Sequence, residues 1–208
     1  MLEVVTPATN FQLTTLGAVK GELEISVDTY DAIFTSLIDR ASKMIVGECG
    51  RPFAYQTYRE TLPGYGDYRL MLSRTPIVGT PTILCDSEAI TDFVVEERDA
   101  GFLWRKTGWK WTVAPGWHIT WAPVAGSEDL KFIVSYNAGY VLPGDVGTRT
   151  LPEDIEQACI QAVKAWFLAR KRDPRIESES IGDYQVKYTP GKLPLDCIQM
   201  VNPWRRLF

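Results

Sequence analysis

Apolar residues recur every three to four positions in two segments of the chain, a period typical of amphipathic helices. The first segment predicts a helix over residues 28–46, with an apolar stripe of Tyr30, Ile33, Phe34, Leu37, Ile38, Ala41, Met44 and Ile45. The second predicts a helix over residues 152–172, with an apolar face of Ile155, Ala158, Cys159, Ala162, Val163, Trp166 and Phe167. We expect the two stripes to pack against each other.

Capping signals mark the ends of both helices. Asp28 suits the positive N-terminal end of the first helix, and Gly47 is a natural C-terminal stop. Thr150 and Glu153 have the spacing of a capping box at the start of the second helix. Pro174 then prevents the second helix from continuing.

The pattern between the helices changes to short runs rich in β-branched and aromatic residues, separated by proline and glycine. The predicted strands are residues 57–62, 68–72, 82–85, 93–96, 102–104, 118–121 and 131–136. A further short strand is predicted over 184–188 and a helical turn over 194–201. The predicted class is therefore α+β: a small helical bundle, residues 1–52 and 147–208, with a long β-rich insertion, residues 53–146, between its main helices.

The charge balance argues against general affinity for nucleic acid. The chain carries 26 acidic and 22 basic side chains, a formal net charge of −4, whereas nucleic-acid binders usually carry a basic surplus. The sequence has no apolar run long enough to span a bilayer, and its first residues lack the features of a signal peptide. We therefore expect the protein to be made and kept in the cytosol, with Cys49, Cys85, Cys159 and Cys197 reduced and mostly buried.

Candidate catalytic groups do not form a recognisable constellation, so we expect no enzyme activity and no cofactor. Carboxylates cluster in two places, Glu96, Glu97 and Asp99, then Glu153, Asp154 and Glu156. The second cluster suits a helix N-terminus better than acid–base catalysis. His118 is the single histidine, and the four cysteines are widely separated, so no metal site is predicted.

Five of the seven tryptophans lie close together, at Trp104, Trp109, Trp111, Trp117 and Trp121. They could fill the core of a β-sandwich. Alternatively Trp109, Trp111 and Trp117 could anchor an interface with another subunit. A third possibility is a ligand site, which would make residues 104–121 part of a carbohydrate- or cell-wall-binding β module.

The C-terminal tail combines two arginines with large apolar side chains, in the order Trp204, Arg205, Arg206, Leu207 and Phe208. Such an end is often frayed. In an assembly of many copies it could instead dock on a neighbour, with the aromatic rings as anchors.

Four ordered motifs resemble the head–tail connector (adaptor, or head-completion) proteins of tailed bacteriophages. They are CGRPF at 49–53, YNAGY at 136–140, LPEDI at 151–155 and GDY at 182–184. The resemblance spans roughly residues 20–190 and keeps the order of the motifs.

The resemblance implies a structural virion protein located at the head–tail interface. Its subunits would form a homo-oligomeric ring, typically a dodecamer, beneath the portal protein. The ring would also meet a tail-completion or tail-terminator protein, and DNA would pass through its centre without sequence-specific binding. Adaptor termini tend to reach the portal or tail, which favours the docking interpretation of residues 204–208.

Overall fold

The computed structural model describes residues 1–111, 131–170 and 192–206, and the backbone of strands Ser178–Ile181 and Tyr184–Lys187. The chain divides into two compact units. A strand unit contains Met1–Thr9 and Ala54–Tyr140, and a helical unit contains Asn10–Phe53 and Val141–Phe208. Since the strands 56–138 lie between the two long helices, the predicted α+β class is confirmed.

Four helices are described in the helical unit: α1 (Leu16–Glu22), α2 (Asp31–Cys49), α3 (Glu153–Ala169) and α4 (Leu195–Val201). The rings of Phe34 and Phe167 lie 4.5 Å apart, which confirms that the apolar faces of α2 and α3 pack together. Ile33 departs from the predicted stripe, because its side chain is 42% exposed.

A polar residue, Ser42, is buried in the core beside that stripe. Its hydroxyl accepts a hydrogen bond of 3.0 Å from the Leu13 backbone N–H and lies 3.7 Å from the Cys159 sulfur. These partners allow a buried hydroxyl on an otherwise apolar helix face. Apolar periodicity alone could not reveal it.

The ends of both long helices differ from the predicted signals. α2 continues through Gly47 to Cys49, and Gly50 takes the left-handed conformation that ends it, with φ 64°. Before α3, Thr150 does not cap the helix; its hydroxyl accepts a hydrogen bond of 2.9 Å from the Val141 N–H. Pro152 precedes the first helical residue. Its φ of −56° suits that position without a side-chain cap.

The strand unit contains eight described strands: β1 (Leu2–Thr6), β2 (Gln56–Leu62), β3 (Arg69–Met71), β4 (Ile77–Cys85), β5 (Glu88–Ile90), β6 (Val94–Glu97), β7 (Phe102–Trp104) and β8 (Phe132–Ala138). They form a five-stranded antiparallel sheet, in the order β1-β2-β8-β4-β5, and a three-stranded antiparallel sheet, in the order β3-β7-β6. Inward-facing residues of both sheets share one core, which includes Tyr58, Leu103, Trp109, Phe132 and Tyr136.

The edge strands β1 and β5 were not predicted. β1 changes the unit to which the N-terminal residues belong. β1 pairs with β2, so residues 1–9 lie in the strand unit rather than with the helices. β4 is longer than predicted because an irregularity between Val78 and Thr82 lets it pass Gly79 and Pro81. The predicted strand at 118–121 lies outside the described residues.

A separate two-stranded antiparallel sheet follows α3. It pairs β9 (Ser178–Ile181) with β10 (Tyr184–Lys187), and β10 covers most of the predicted strand 184–188. α4 likewise covers most of the predicted helical turn.

Gly139 explains why the YNAGY turn needs glycine. Its φ is +111°, and a Cβ atom there would lie 2.3 Å from the backbone oxygen of Ala54. Beside it, the Tyr55 N–H donates to the Tyr140 carbonyl at 3.0 Å.

We expect Gly139→Ala to lower the free energy of unfolding by about 2–4 kcal/mol, from backbone strain and overpacking together. Gly79→Ala is the matched control, because Gly79 also has positive φ (+76°) but a Cβ atom added there would meet open space. Urea denaturation should show the larger loss for Gly139→Ala. Equal losses would mean that the contact with Ala54 does not restrict this position.

Candidate partner-binding site

The C-terminal tail is positioned by α4. Cys197 and Val201 of α4 are buried in the helical unit. A 3-10 turn, Asn202–Trp204, with Pro203 in its first positions, follows directly. This turn directs the next residues toward the C-terminal end of α2.

Two predicted docking residues, Arg205 and Arg206, lie at that end. The Arg206 backbone N–H donates a hydrogen bond of 2.8 Å to the carbonyl of Cys49, the last residue of α2. The Arg205 guanidinium lies 3.3 Å from the Glu48 carboxylate. The last carbonyls of a helix have no intrahelical donor, so the tail satisfies one of them. Residues 204–206 are therefore held in place rather than frayed, while Leu207 and Phe208 lie outside the described residues.

The ion pair contributes only modestly to this attachment. The side chains of Arg205 and Glu48 are 46% and 30% exposed, and an exposed ion pair of this kind contributes about 0.2–1 kcal/mol. Trp204 is half-buried. Its indole N–H is enclosed and has no acceptor among the described residues.

The three candidate interface tryptophans do not share one environment. Trp109 is 1% exposed and packs edge-on against Phe132 at 5.3 Å, so it belongs to the core and is not available as an interface anchor. Trp111 is 51% exposed. Its indole lies so close to Gly66 that a Cβ atom there would be 2.2 Å from the indole nitrogen. Trp117 lies outside the described residues.

An exposed apolar surface on the small sheet was missed by the sequence analysis. The strand register places Arg69 opposite Trp104 and Trp104 opposite Val94. Val94 and Met71 are exposed, and Trp104 is partly so. Arg69 donates two hydrogen bonds, of 2.6 and 2.7 Å, to the Glu96 carboxylate. The alternation of side chains along β3 and β7 is the sequence signal that could have identified this face.

The buried carboxylate of Glu60 has a structural role in the strand unit. It accepts hydrogen bonds from the Ser73 N–H at 2.9 Å and from the Tyr136 hydroxyl at 2.8 Å, and it also contacts the Ser73 hydroxyl. Burial, reinforced by the nearby Glu60 charge, raises the pKa of Tyr136 far above its ordinary value. The phenol therefore stays protonated and donates.

The acidic cluster at the start of α3 is also largely structural. Glu156 forms an ion pair with Arg149 and accepts a hydrogen bond of 3.3 Å from the Thr14 hydroxyl. These groups border a cleft of about 350 Å³, lined by Arg149, Glu153, Asp154, Glu156, Gln157 and Ile160. Glu96 is paired with Arg69, and His118 lies outside the described residues.

Neither a metal cluster nor a membrane-spanning helix occurs within the described ranges. No three His, Cys, Asp or Glu side chains converge there on a possible metal position. None of the helices described combines the length and apolarity needed to cross a bilayer.

All four cysteines are buried thiols without a disulfide. Burial raises the pKa of Cys49 and Cys197 to about 11 and that of Cys159 to about 12. The thiolate is the reactive form, so these groups should be poor nucleophiles in the folded protein.

We expect native cysteines to react slowly with a disulfide reagent at pH 8 and quickly in urea. An unfolded thiol has a pKa near 8.5. Burying the protonated thiols in the folded protein therefore contributes stability that is fully present below about pH 8.5. This contribution is lost as the pH rises toward the folded-state pKa values of 11–12. Denaturation at pH 7, 9 and 11 should show falling stability. Fast native labelling at pH 8 would contradict the burial of the thiols.

The fold is shared with subunits of phage-like particles. Over 100% of its length, the chain is similar to one in the neck of an empty gene transfer agent (GTA) particle computed with C6 symmetry, with TM-score 0.58, 16% identity and 96% of that chain covered. A chain in the neck of a native GTA particle computed with C12 symmetry is similar with TM-score 0.57 and 13% identity, over 100% of this chain and 96% of that one. A chain in the virion of a native GTA particle is similar with TM-score 0.55 and 15% identity, over 100% of this chain and 96% of that one.

These features define an α+β protein with one strand unit and one helical unit. The chain belongs to the head completion protein family, whose model matches residues 12–207. It is therefore a structural protein of the virion that serves the connection between head and tail, as its motifs indicated. No curated protein matches the sequence.

Proposed function

We propose that this chain is a head–tail adaptor that forms a ring of identical subunits beneath the portal protein. The ring joins the capsid to a tail-completion or tail-terminator protein and leaves an axial channel for DNA. The observation that carries the proposal is the match of residues 12–207 to head completion proteins. Similarity to neck chains over the whole length supports it.

A twelve-fold ring is the form we propose. One of the similar neck structures was computed with C12 symmetry. Head-to-tail contacts between identical subunits close into a ring when the rotation permits, and many modest interfaces then act together.

The proposed docking element is the tail, comprising Trp204, Arg205, Arg206, Leu207 and Phe208. Its described part lies at the surface of the helical unit with an aromatic ring beside a cation, a combination favoured at protein interfaces. Trp111, and Trp117 with it, remain proposed subunit contacts.

The tail can be tested by deleting residues 203–208, which keeps the buried Val201. We expect the truncated chain to stay folded by circular dichroism and to bind purified portal at least ten-fold more weakly in sedimentation assays. Tyr68→Ala is the comparison variant, because it alters an exposed aromatic of the strand unit to which the proposal assigns no contact. Unchanged portal binding by the truncated chain would refute the role of the tail, and absence of portal binding by the intact chain would refute the proposed function.

Passage of DNA requires a subunit that does not hold it. The net charge of −4 is consistent with this requirement. We expect fluorescence anisotropy at 0.15 M salt to show no sequence-dependent binding of labelled duplex DNA. Sequence-dependent submicromolar binding would contradict the passive channel.

A carbohydrate- or cell-wall-binding module is the alternative, and the exposure of Trp104 and Trp111 is the observation that favours it. Aromatic rings at a surface can stack on sugar rings, but the burial of Trp109 removes the centre of the proposed platform. A saturable change in tryptophan fluorescence on adding oligosaccharides would support the module. No change would support the adaptor.

A further inference from the structure

The last described turn of the chain is attached differently from the helix that precedes it. Val201 is fully buried, whereas Pro203 and Arg205 are exposed and Trp204 is half-buried. Segments with few buried contacts open locally without global unfolding. Residues Asn202–Arg206 can therefore detach while α4 stays in the core.

Two contacts tie this turn to the end of α2. They are the Arg206 N–H to Cys49 carbonyl hydrogen bond at 2.8 Å and the ion pair of Arg205 with Glu48 at 3.3 Å. Both use the last two residues of α2. An exposed ion pair is weakened by salt, so the contribution of Arg205 and Glu48 to this attachment depends on ionic strength.

The closed position of the turn is not fully favourable for Trp204. Its indole N–H is enclosed but meets no acceptor among the described residues. A buried donor without a partner is unfavourable compared with one that is hydrogen-bonded. A second surface that offered a carbonyl or carboxylate to this N–H could compete with the present position.

We propose that Asn202–Arg206 is a latch, closed on Glu48 and Cys49 of its own chain and opened when the tail docks on a partner. In the unassembled subunit, the closed latch holds Trp204 and Arg205 against their own chain and so keeps them from binding a partner. Docking in trans must then compete with docking in cis, which limits binding to partners that offer more contacts. The existence of the latch rests on the structure alone, and only its purpose rests on the proposed function.

Glu48→Gln tests the latch, because it removes the charge while preserving the shape of the side chain. Hydrogen exchange of the Arg206 amide, followed by mass spectrometry of C-terminal peptides, reports the opening. We expect exchange about 1.4- to five-fold faster than in the wild type at low salt, the range for an exposed ion pair. Raising the salt to 0.5 M should bring the wild type close to the variant.

The matched control is Glu22→Gln, which breaks a similar exposed ion pair with Lys164, 2.8 Å long, between α1 and α3. It should leave exchange at Arg206 unchanged. Wild-type exchange as fast as in an unstructured peptide would overturn the latch. An identical rate in Glu48→Gln and wild type would overturn it as well.

A measurement of portal binding distinguishes the existence of the latch from its proposed role in docking. If both are correct, Glu48→Gln should associate with purified portal faster than the wild type by the same factor of about 1.4 to 5. If the exchange difference is present but neither chain binds portal, the latch stands and the proposed function fails. Binding at equal rates despite faster exchange would show that opening does not limit docking, which overturns the latch as a control on assembly.

Discussion

Phe34→Ala should lower the free energy of unfolding by about 3–5 kcal/mol, the usual range for removing a buried phenylalanine. Phe34 is fully buried between the two long helices. Its ring lies 4.5 Å from that of Phe167 and 6.3 Å from that of Tyr30. Alanine would leave a cavity where α2 meets α3. Urea denaturation followed by circular dichroism at 222 nm measures the loss.

Ile33→Ala is the matched control for this prediction. Ile33 is adjacent in sequence but exposed, so its truncation should cost less than about 1 kcal/mol. A similar loss for both variants would show that the α2 face was assigned incorrectly. A small loss for Phe34→Ala would contradict the packing of α2 on α3.

Trp109→Ala should have a similarly large effect, about 3–5 kcal/mol, in the strand unit. The indole packs between Phe132 and Phe93, with ring centroids at 5.3 and 6.3 Å. The Arg105 guanidinium lies 5.8 Å from its ring. Cys85 is buried in the same core, so the urea concentration at which Cys85 becomes labelled reports this unit.

Trp111→Ala separates the core interpretation of the tryptophan segment from the surface one. Trp111 is exposed. Its truncation should therefore lower the free energy of unfolding that Cys85 labelling reports by less than about 1 kcal/mol. Labelling of Cys49, Cys159 and Cys197, which belong to the helical unit, provides an internal reference. If Trp111→Ala were the more damaging change, the assignment of Trp109 to the core would be wrong.

The helices were predictable because their cores follow one period. Phe34, Ile38, Ala41 and Ile45 are buried as the apolar pattern predicts. The helix ends were less predictable, because capping depends on which of several suitable residues the tertiary structure uses. Gly50 ends α2 although Gly47 comes first, and Thr150 bonds to Val141 rather than to α3.

The strand unit shows where local patterns are insufficient. β2, β7 and β8 have clear alternation or aromatic content and were found, whereas β1 is recognised only through its pairing with β2. The partners of the buried Glu60 come from residues 13 and 76 positions away. Such contacts depend on sheet register, which one sequence does not reveal.

The tail was chosen as a candidate site from its composition and stays a prediction, whereas its position in the fold could not be predicted. Two arginines beside tryptophan indicated a docking peptide. Its attachment to Glu48 and Cys49, more than 150 residues earlier, depends on how α4 meets α2. Trp166, placed on the apolar face of α3, instead lies at its border, where its indole donates to the Lys192 carbonyl at 3.1 Å and Arg40 stacks on the ring at 4.5 Å.

The most direct measurement is the mass of the complex formed when the purified 23.5 kDa chain is mixed with its portal protein. Native mass spectrometry should find one portal carrying a full ring of these chains, twelve in the proposed form, with few partly filled complexes. A portal that keeps its own mass at excess chain would contradict the adaptor role. A portal that carries a single copy would contradict the ring.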